Sequence, residues 1–287
     1  MKTLIVPNHY EKKKLITYLQ DTFPNLKTSV IFKALRNKDI RVNNIKVREN
    51  ILLQAQDMVT LYIEDRFLEP SFTPVIIYED AHILLVDKPA GLEVVGNSRC
   101  LTTLLQDYFS NPNLAPCHRL DVHTSGLVLF AKHAEALSIL LHKFKQHEIE
   151  KHYRAKVYGI PSVSGATLEA FLFKDRKQSR VYISDVFKKG YVKIKTSYQV
   201  CQIDTQAQTC ILDVTLHTGK THQIRAHLAH IGLPIIGDEK YGNFEINRRE
   251  HCHVQQLQSY RLCFHFSSDS GILSYLDRKE FCIDSVF

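Results

Sequence analysis

The sequence predicts an α+β protein in two unequal domains, and three observations lead there. The chain has 287 residues, which at ~150 residues per domain points to about two. Short apolar runs and helical stripes follow one another without the regular strand–helix alternation of a parallel sheet. Positive charge is crowded into one short segment near the start. Hydrophobic residues make up 44% and charged residues 23%, enough to bury a core without disulfide or metal staples. That composition excludes a disordered tail, a collagen-like chain and a disulfide scaffold.

The crowded segment runs from Lys12 to Arg48, where ten basic residues meet two acidic ones, Asp21 and Asp39. Nearly all of the chain's net +7 is thereby expected in a small N-terminal module. A second basic stretch, Lys143 to Arg180, holds nine basic and four acidic residues. Each lysine alone reads as solvated surface, but the concentration suggests a footprint for phosphates.

Within the first segment, Leu15, Ile16 and Leu19 recur at helical spacing. Val30, Ile31, Ala34 and Leu35 follow in a second helix that Thr28 or Ser29 can cap. Lys33 and Arg36 fall between these apolar positions and give a basic face beside the apolar one. Ile40–Val42 and Ile45–Val47 flank Asn43-Asn44, and Asn tolerates positive φ, so the stretch reads as a tight hairpin. Val59, Leu61 and Ile63 alternate as a further strand. Residues 67–74, with Pro70 and Pro74, read as a linker, which leaves 1–66 and 75–287 as the two domains.

Beyond the linker, Val75–Tyr78, Ile83–Asp87, Ala155–Tyr158, Val192–Val200 and Ile211–Leu216 read as strands. Ala134–Phe144 reads as a helix with Leu137, Leu140, Leu141 and Phe144 as its apolar stripe. Three segments carry chemistry. The first is Cys117-His118-Arg119-Leu120-Asp121-Val122-His123-Thr124-Ser125-Gly126, a carboxylate in the company of a guanidinium, two histidines and a turn. Such a carboxylate can be a nucleophile, a base or half of a structural ion pair. The second, Lys151–Gly159, alternates so that Tyr153, Ala155 and Val157 share one strand face and Arg154 and Lys156 the other. A tyrosine on that inner face is ordinarily core.

The third is His217–Asp238, in which Thr218-Gly219 turns, Thr221 caps a helix of about ten residues, and Gly232-Leu233-Pro234 stops it. Ile224, Leu228 and Ile231 share a face. His222, Gln223 and Arg225 lie at the N-terminal end, where backbone amides favour anions. Four histidines in fourteen residues raise the question of a metal, but no carboxylate completes a pattern such as His-Glu-x-x-His. His251-Cys252-His253, with Cys263 and His265, fits no standard finger and reads as strand side chains. No metal is expected.

Together these segments resemble the RluA-type family of pseudouridine synthases. His-Arg-Leu-Asp followed by Thr-Ser-Gly, Lys-x-Tyr-x-Ala-x-Val-x-Gly, and His-Thr-Gly-Lys-Thr-His-Gln-Ile-Arg through Gly-Asp-x-x-Tyr-Gly occur in the family's order. The resemblance covers roughly 75–287, and residues 10–65 resemble the S4 RNA-binding domain, a frequent companion in the family. It implies a mixed, largely antiparallel catalytic sheet behind a small α/β module. It also implies an isomerase acting on RNA, first ribosomal RNA of the large subunit and second transfer RNA; the rival is an RNA-binding assembly factor without catalysis.

By the same resemblance Asp121 is the catalytic carboxylate, Arg225 its partner, and Tyr153 the stacking group on the flipped base. Arg119 fills the space that the uridine leaves. His118, Thr124, Lys220, His222 and Gln223 are expected at the substrate, and Lys27, Lys33, Arg36, Lys38, Arg41 and Lys46 on RNA phosphates. Val122-His123, Lys220 and Leu257-Gln258-Ser259 depart from the commoner pattern and bear on substrate choice. The chemistry needs no cofactor, and a monomer is expected. No secretory leader opens the chain, no run approaches the ~18 apolar residues of a membrane span, and seven cysteines without a Cys-x-x-Cys pair suit a reducing cytosol.

Overall fold

A computed structural model describes the chain apart from residues 24–25, 69–71, 97–99 and 285–286 and the side chains of Asp65 and Arg66. The chain divides into two compact units, Met1–Thr73 and Pro74–Phe287.

The first unit contains β1 (Lys2–Ile5), α1 (Leu15–Thr22), α2 (Thr28–Asn37), β2 (Ile40–Val42), β3 (Ile45–Lys46), β4 (Met58–Leu61) and α3 (Asp65–Leu68). Its sheet runs β1-β4-β2-β3. The apolar stripes read from the sequence form its core: Leu15, Leu19, Ile31 and Leu35 are buried against Ile40, Val59 and Leu61. Asn43 and Asn44 take φ of 51° and 65°, the left-handed pair that a two-residue hairpin requires. Strand β1 was not expected, because its only apolar run is short; pairing along β4 makes the strand.

Three expectations change here. Lys27 precedes α2 and no side chain caps it, so Thr28 begins the helix instead of capping it. Helix α3 carries Phe67 and Leu68 against this unit's core, so the beginning of the expected linker is structured; residues 69–71 lie outside the described residues. The unit also holds twelve Lys and Arg against eight Asp and Glu, a net +4. Flanking acidic residues such as Glu11, Glu49 and Asp57 offset the Lys12–Arg48 cluster, and the remaining +3 belongs to the second unit.

The second unit comprises β5 (Val75–Glu79), β6 (Ile83–Lys88), α4 (Leu101–Phe109), β7 (Ala115–Pro116), β8 (Ser125–Ala131), α5 (Ala134–Lys145), β9 (Ile149–Tyr158), β10 (Gly165–Asp175), β11 (Arg180–Ser184) and β12 (Val192–Asp204). It continues with β13 (Thr209–Leu216), α6 (Gln223–His230), α7 (Phe244–Arg249), β14 (Leu257–Phe264) and β15 (Glu280–Cys282). One mixed sheet orders them β11-β10-β12-β13-β9-β14-β8-β6-β5, with β15 on β14 and β7 on β8. Among the described pairings only β8–β14 is parallel.

That parallel contact positions the site. Ser259 on β14 stands opposite both Gly126 on β8 and Tyr153 on β9. Gly126 has φ +109°, and a Cβ there would lie 2.2 Å from the Ser259 carbonyl oxygen. Only glycine allows this approach, which brings the loop carrying Asp121 beside the strand carrying Tyr153. On α5, Leu140 is buried but Leu141 is exposed, so the stripe is narrower than its sequence suggested; the buried Lys143 takes that place, neutralised by Glu148 at 2.6 Å. The cysteines form no disulfide: Cys100, Cys117, Cys210 and Cys263 are buried, Cys201 and Cys282 exposed. No described helix is long and apolar enough to cross a membrane.

Candidate active site

Asp121 lies in the loop between β7 and β8, with its side chain 26% exposed. It is therefore open to a ligand. Its partner is not the adjacent Arg119 but Arg225, 104 residues onward: Nη1 donates to Asp121 Oδ2 at 2.9 Å. The other edge of the guanidinium is clamped by the buried Asp238, with Nε to Oδ2 at 2.7 Å and Nη2 to Oδ1 at 3.0 Å. Asp238 also accepts the backbone N–H groups of Lys240 at 2.8 Å and Tyr241 at 3.0 Å. Burial pushes the Asp238 carboxyl up, but Arg225 and these amides outweigh it and hold it below the usual range. Burial alone would lower the Arg225 pKa, yet its two carboxylates raise it above the ordinary value. The cation is thus permanent and aimed.

The loop itself is pinned from below. Lys88, fully buried, donates to the carbonyls of Pro89 at 2.8 Å, Leu92 at 2.8 Å and Val122 at 3.0 Å. Val122 O also accepts the Gly91 N–H at 2.8 Å. Burial lowers the Lys88 pKa to about 8, with Asp121 and Asp87 pulling it back. Thr124 closes the turn through its N–H to Asp121 O at 3.1 Å, and its buried hydroxyl accepts from Gln255 at 2.8 Å.

Helix α6 begins one residue later than expected, at Gln223, and His222 rather than Thr221 precedes it with φ 51°. A histidine in the left-handed region carries strain. Side-chain contacts hold it there. His222 Nδ1 lies 2.9 Å from the Tyr241 hydroxyl, which itself accepts the Val181 N–H at 2.8 Å. The other ring nitrogen, Nε2, faces Asp121 Oδ2, 3.9 Å away. Burial lowers the His222 pKa, partly countered by Asp121. Ile231 ends the helix half-exposed, outside the shared face with Ile224 and Leu228, because the helix stops at His230.

Tyr153 is 5% exposed. Burial and then the Asp121 charge push its phenol pKa up, with the neighbouring Ser259 opposing. Tyr153, Asp121 and Arg225 line one cleft of 310 Å³, together with Lys151 and Lys220; a second cleft of 370 Å³ shares Asp121, Arg225 and the exposed Arg119.

Two of the expected substrate contacts are occupied by the protein itself. His118 Nε2 accepts the Leu129 N–H at 3.1 Å, and burial lowers its pKa to about 3, so it is neutral. Gln223 is buried; its amide donates to Lys195 O and Thr196 Oγ1 at 3.0 Å and accepts from Thr218 at 2.9 Å and Lys220 N at 3.1 Å. It shapes the turn that presents Lys220. His251–His253 lie in the irregular segment between α7 and β14, not in a strand, whereas Cys263 is on β14. Among the described residues no group of three or more His, Cys, Asp or Glu converges as a metal site. No role was assigned from the sequence to Lys88, Asp238 or Tyr241, although Asp238 and Tyr241 stand in the Gly-Asp-x-x-Tyr-Gly end of the third motif.

Residues 82–230 match the family model described as RNA pseudouridylate synthase. An uncharacterized RNA pseudouridine synthase of Chlorobaculum parvum is 31% identical over 258 residues, covering 84% of this chain and 78% of that protein. A ribosomal large subunit pseudouridine synthase C of Rickettsia felis is 31% identical over 256 residues, covering 81% and 83%. Human RNA pseudouridylate synthase domain containing 1 superposes with a TM-score of 0.61 at 23% identity, over 75% of this chain and 86% of that one. That likeness shows the shared fold. On the matched segment and these relatives, the chain belongs to the RluA-type RNA pseudouridine synthases, isomerases that act on uridine in RNA.

Proposed function

We propose that the chain isomerises uridines of large-subunit ribosomal RNA, with Asp121 as the catalytic carboxylate. The observation that carries this reading is the Asp121–Arg225–Asp238 array opening onto a cleft beside Tyr153. The ribosomal choice is supported by the name of the Rickettsia felis relative.

Isomerisation breaks the N1–C1′ bond, turns the uracil and joins C5 to C1′. Asp121 Oδ either attacks C1′ or removes the 2′ proton. Arg225 keeps the carboxylate aimed throughout, and positioning of this kind is a large part of a catalytic barrier. Tyr153 stacks on the extruded base, and as a neutral phenol it takes part in moving the C5 proton. Arg119, exposed at the rim of both clefts, fills the vacated place in the RNA, which offsets the few kcal/mol that extruding a base costs. The leaving uracil is the group recaptured, so the reaction is redox-neutral and consumes no water or cofactor.

The N-terminal unit acts as the S4-like RNA holder. Its exposed Lys27, Lys33, Arg36, Lys38 and Lys46, with Arg41 against the Tyr62 ring at 5.0 Å, meet phosphates and shape rather than base edges. The test is to map pseudouridines across total RNA from cells with and without the gene. Loss of one or more positions in large-subunit ribosomal RNA supports the reading; loss confined to transfer RNA, or no loss, sinks it.

A further inference from the structure

The second unit's charge is as local as the first's. Between Lys174 and Lys195 there are eight basic residues and two acidic ones, a net +6, while the unit as a whole carries +3. This segment is the end of β10, all of β11, the turn that follows and the start of β12. It is also unusually aromatic at its surface. Alternation puts Phe171 and Phe173 on the outer face of β10, Phe173 opposite Tyr182. Phe173, Tyr182 and Phe187 are all exposed, and Phe173 stacks on Tyr191 with centroids 5.3 Å apart at 26°.

A groove of 280 Å³ runs from Phe173, Arg176 and Gly190 to Lys220 and Thr221. The last two also line the cleft that holds Asp121 and Tyr153. Lys174 Nζ ties the groove to that cleft through Thr221 Oγ1 at 3.1 Å. Lys193 is neutralised by Glu169 at 2.7 Å, but no ion pair among the described residues neutralises Arg176, Lys177, Lys188 or Lys189. Exposed aromatic rings among cations that no carboxylate neutralises, with Lys188 Nζ 5.8 Å from the Tyr191 ring centroid, continuous with a site that acts on RNA, match the chemistry of a single-strand groove: rings take bases and cations follow the backbone. A protein partner would not explain the continuity with the catalytic cleft.

We propose that this groove is a second RNA subsite, taking an unpaired nucleotide that flanks the target uridine. Its base stacks on the Phe173–Tyr191 pair, and its phosphates lie along Arg176, Lys177 and Lys188. The proposal rests on the reading that the Asp121 cleft receives the uridine.

The chain has no tryptophan, so Phe173→Trp supplies a single emitter at the subsite and preserves a stacking ring. Titration of the full-length variant with a short single-stranded RNA of mixed sequence is expected to quench that emission at wild-type affinity. Phe173→Ala is expected to bind about tenfold more weakly, within the range of one base–aromatic stack. Arg176→Ala with Lys177→Ala should flatten the salt dependence of binding by about 0.7 in slope for each phosphate left unneutralised. Emission that RNA leaves unchanged, with Phe173→Ala binding as tightly as wild type, overturns the subsite and leaves the patch to a protein partner. A wild-type protein whose Phe173→Trp form is quenched but which makes no pseudouridine instead overturns the activity and spares the subsite.

Discussion

Arg225 joins two carboxylates that the chain separates widely, holding Asp238 by Nε and Nη2 and reaching Asp121 Oδ2 with Nη1 at 2.9 Å. Asp238 is inaccessible and Asp121 is not. One edge of the guanidinium is therefore fixed in the protein so that the other can point at the cleft. This relation turns an ion pair into a positioning device.

Arg225→Lys tests that relation. An ammonium is a point charge and cannot bridge both carboxylates in the fixed geometry of the fork. Turnover is expected to fall by about 100-fold, the scale of a misplaced catalytic group, while RNA affinity stays close to wild type. Single-turnover kinetics separate the two; unchanged turnover would remove Arg225 from the positioning role.

Tyr153→Phe keeps the ring and deletes the hydroxyl. If the phenol takes part in moving the C5 proton, turnover drops by about 100-fold with RNA binding retained. Because the pKa of this phenol is pushed up, no loss of activity from ionisation of Tyr153 is expected below its ordinary pKa of 10. Full activity in the variant would reduce Tyr153 to a stacking platform.

Lys88→Met probes the support under Asp121. The variant leaves the carbonyls of Pro89 and Leu92 without this donor and Val122 O with the Gly91 N–H alone, a cost of about 1–3 kcal/mol. The pH dependence carries the sharper signature. Lys88 titrates near 8 in the fold against 10.5 ordinarily. Between those values the unfolded chain keeps the proton that the folded chain has shed, so its contribution to stability rises with pH across that window. Denaturant unfolding at about pH 7 and about pH 10 should show the wild type gaining on the variant at the higher pH; a difference independent of pH contradicts the burial of this charge.

Lys33→Ala with Arg36→Ala in the N-terminal unit should weaken binding to structured RNA and flatten its salt slope by about 0.9 for each phosphate left unneutralised. Turnover at saturating RNA should not change. An unaltered slope, measured by filter binding across a salt series, would take these two residues off the RNA.

Asp121, Tyr153 and Arg225 were legible in the sequence because each lies in a long motif of mixed chemistry, and the fold brings all three to one cleft. The alternation of β9 predicted that Tyr153 faces inward, and it does. Lys88 was not legible: its ammonium is accommodated by carbonyls of three separate residues, one of them 34 positions away, and nothing local signals that convergence. The caps expected at Thr28 and Thr221 failed because Lys27 and His222 precede the helices and tertiary contacts fix the starts. Charge was misread for a simpler reason. Counting Lys12–Arg48 by itself ignored the acidic residues beside it, and so hid the +6 of Lys174–Lys195.

Whether Asp121 performs the isomerisation is tested most directly by Asp121→Asn. The substitution keeps shape and still offers an oxygen to Arg225 but removes the charge. Purified wild type and variant, each incubated with unmodified large-subunit ribosomal RNA transcript, are compared by pseudouridine mapping and by RNA binding. The expected result is pseudouridine from the wild type, none from the variant, and equal binding by both. Pseudouridine from the variant at the wild-type rate would contradict the account.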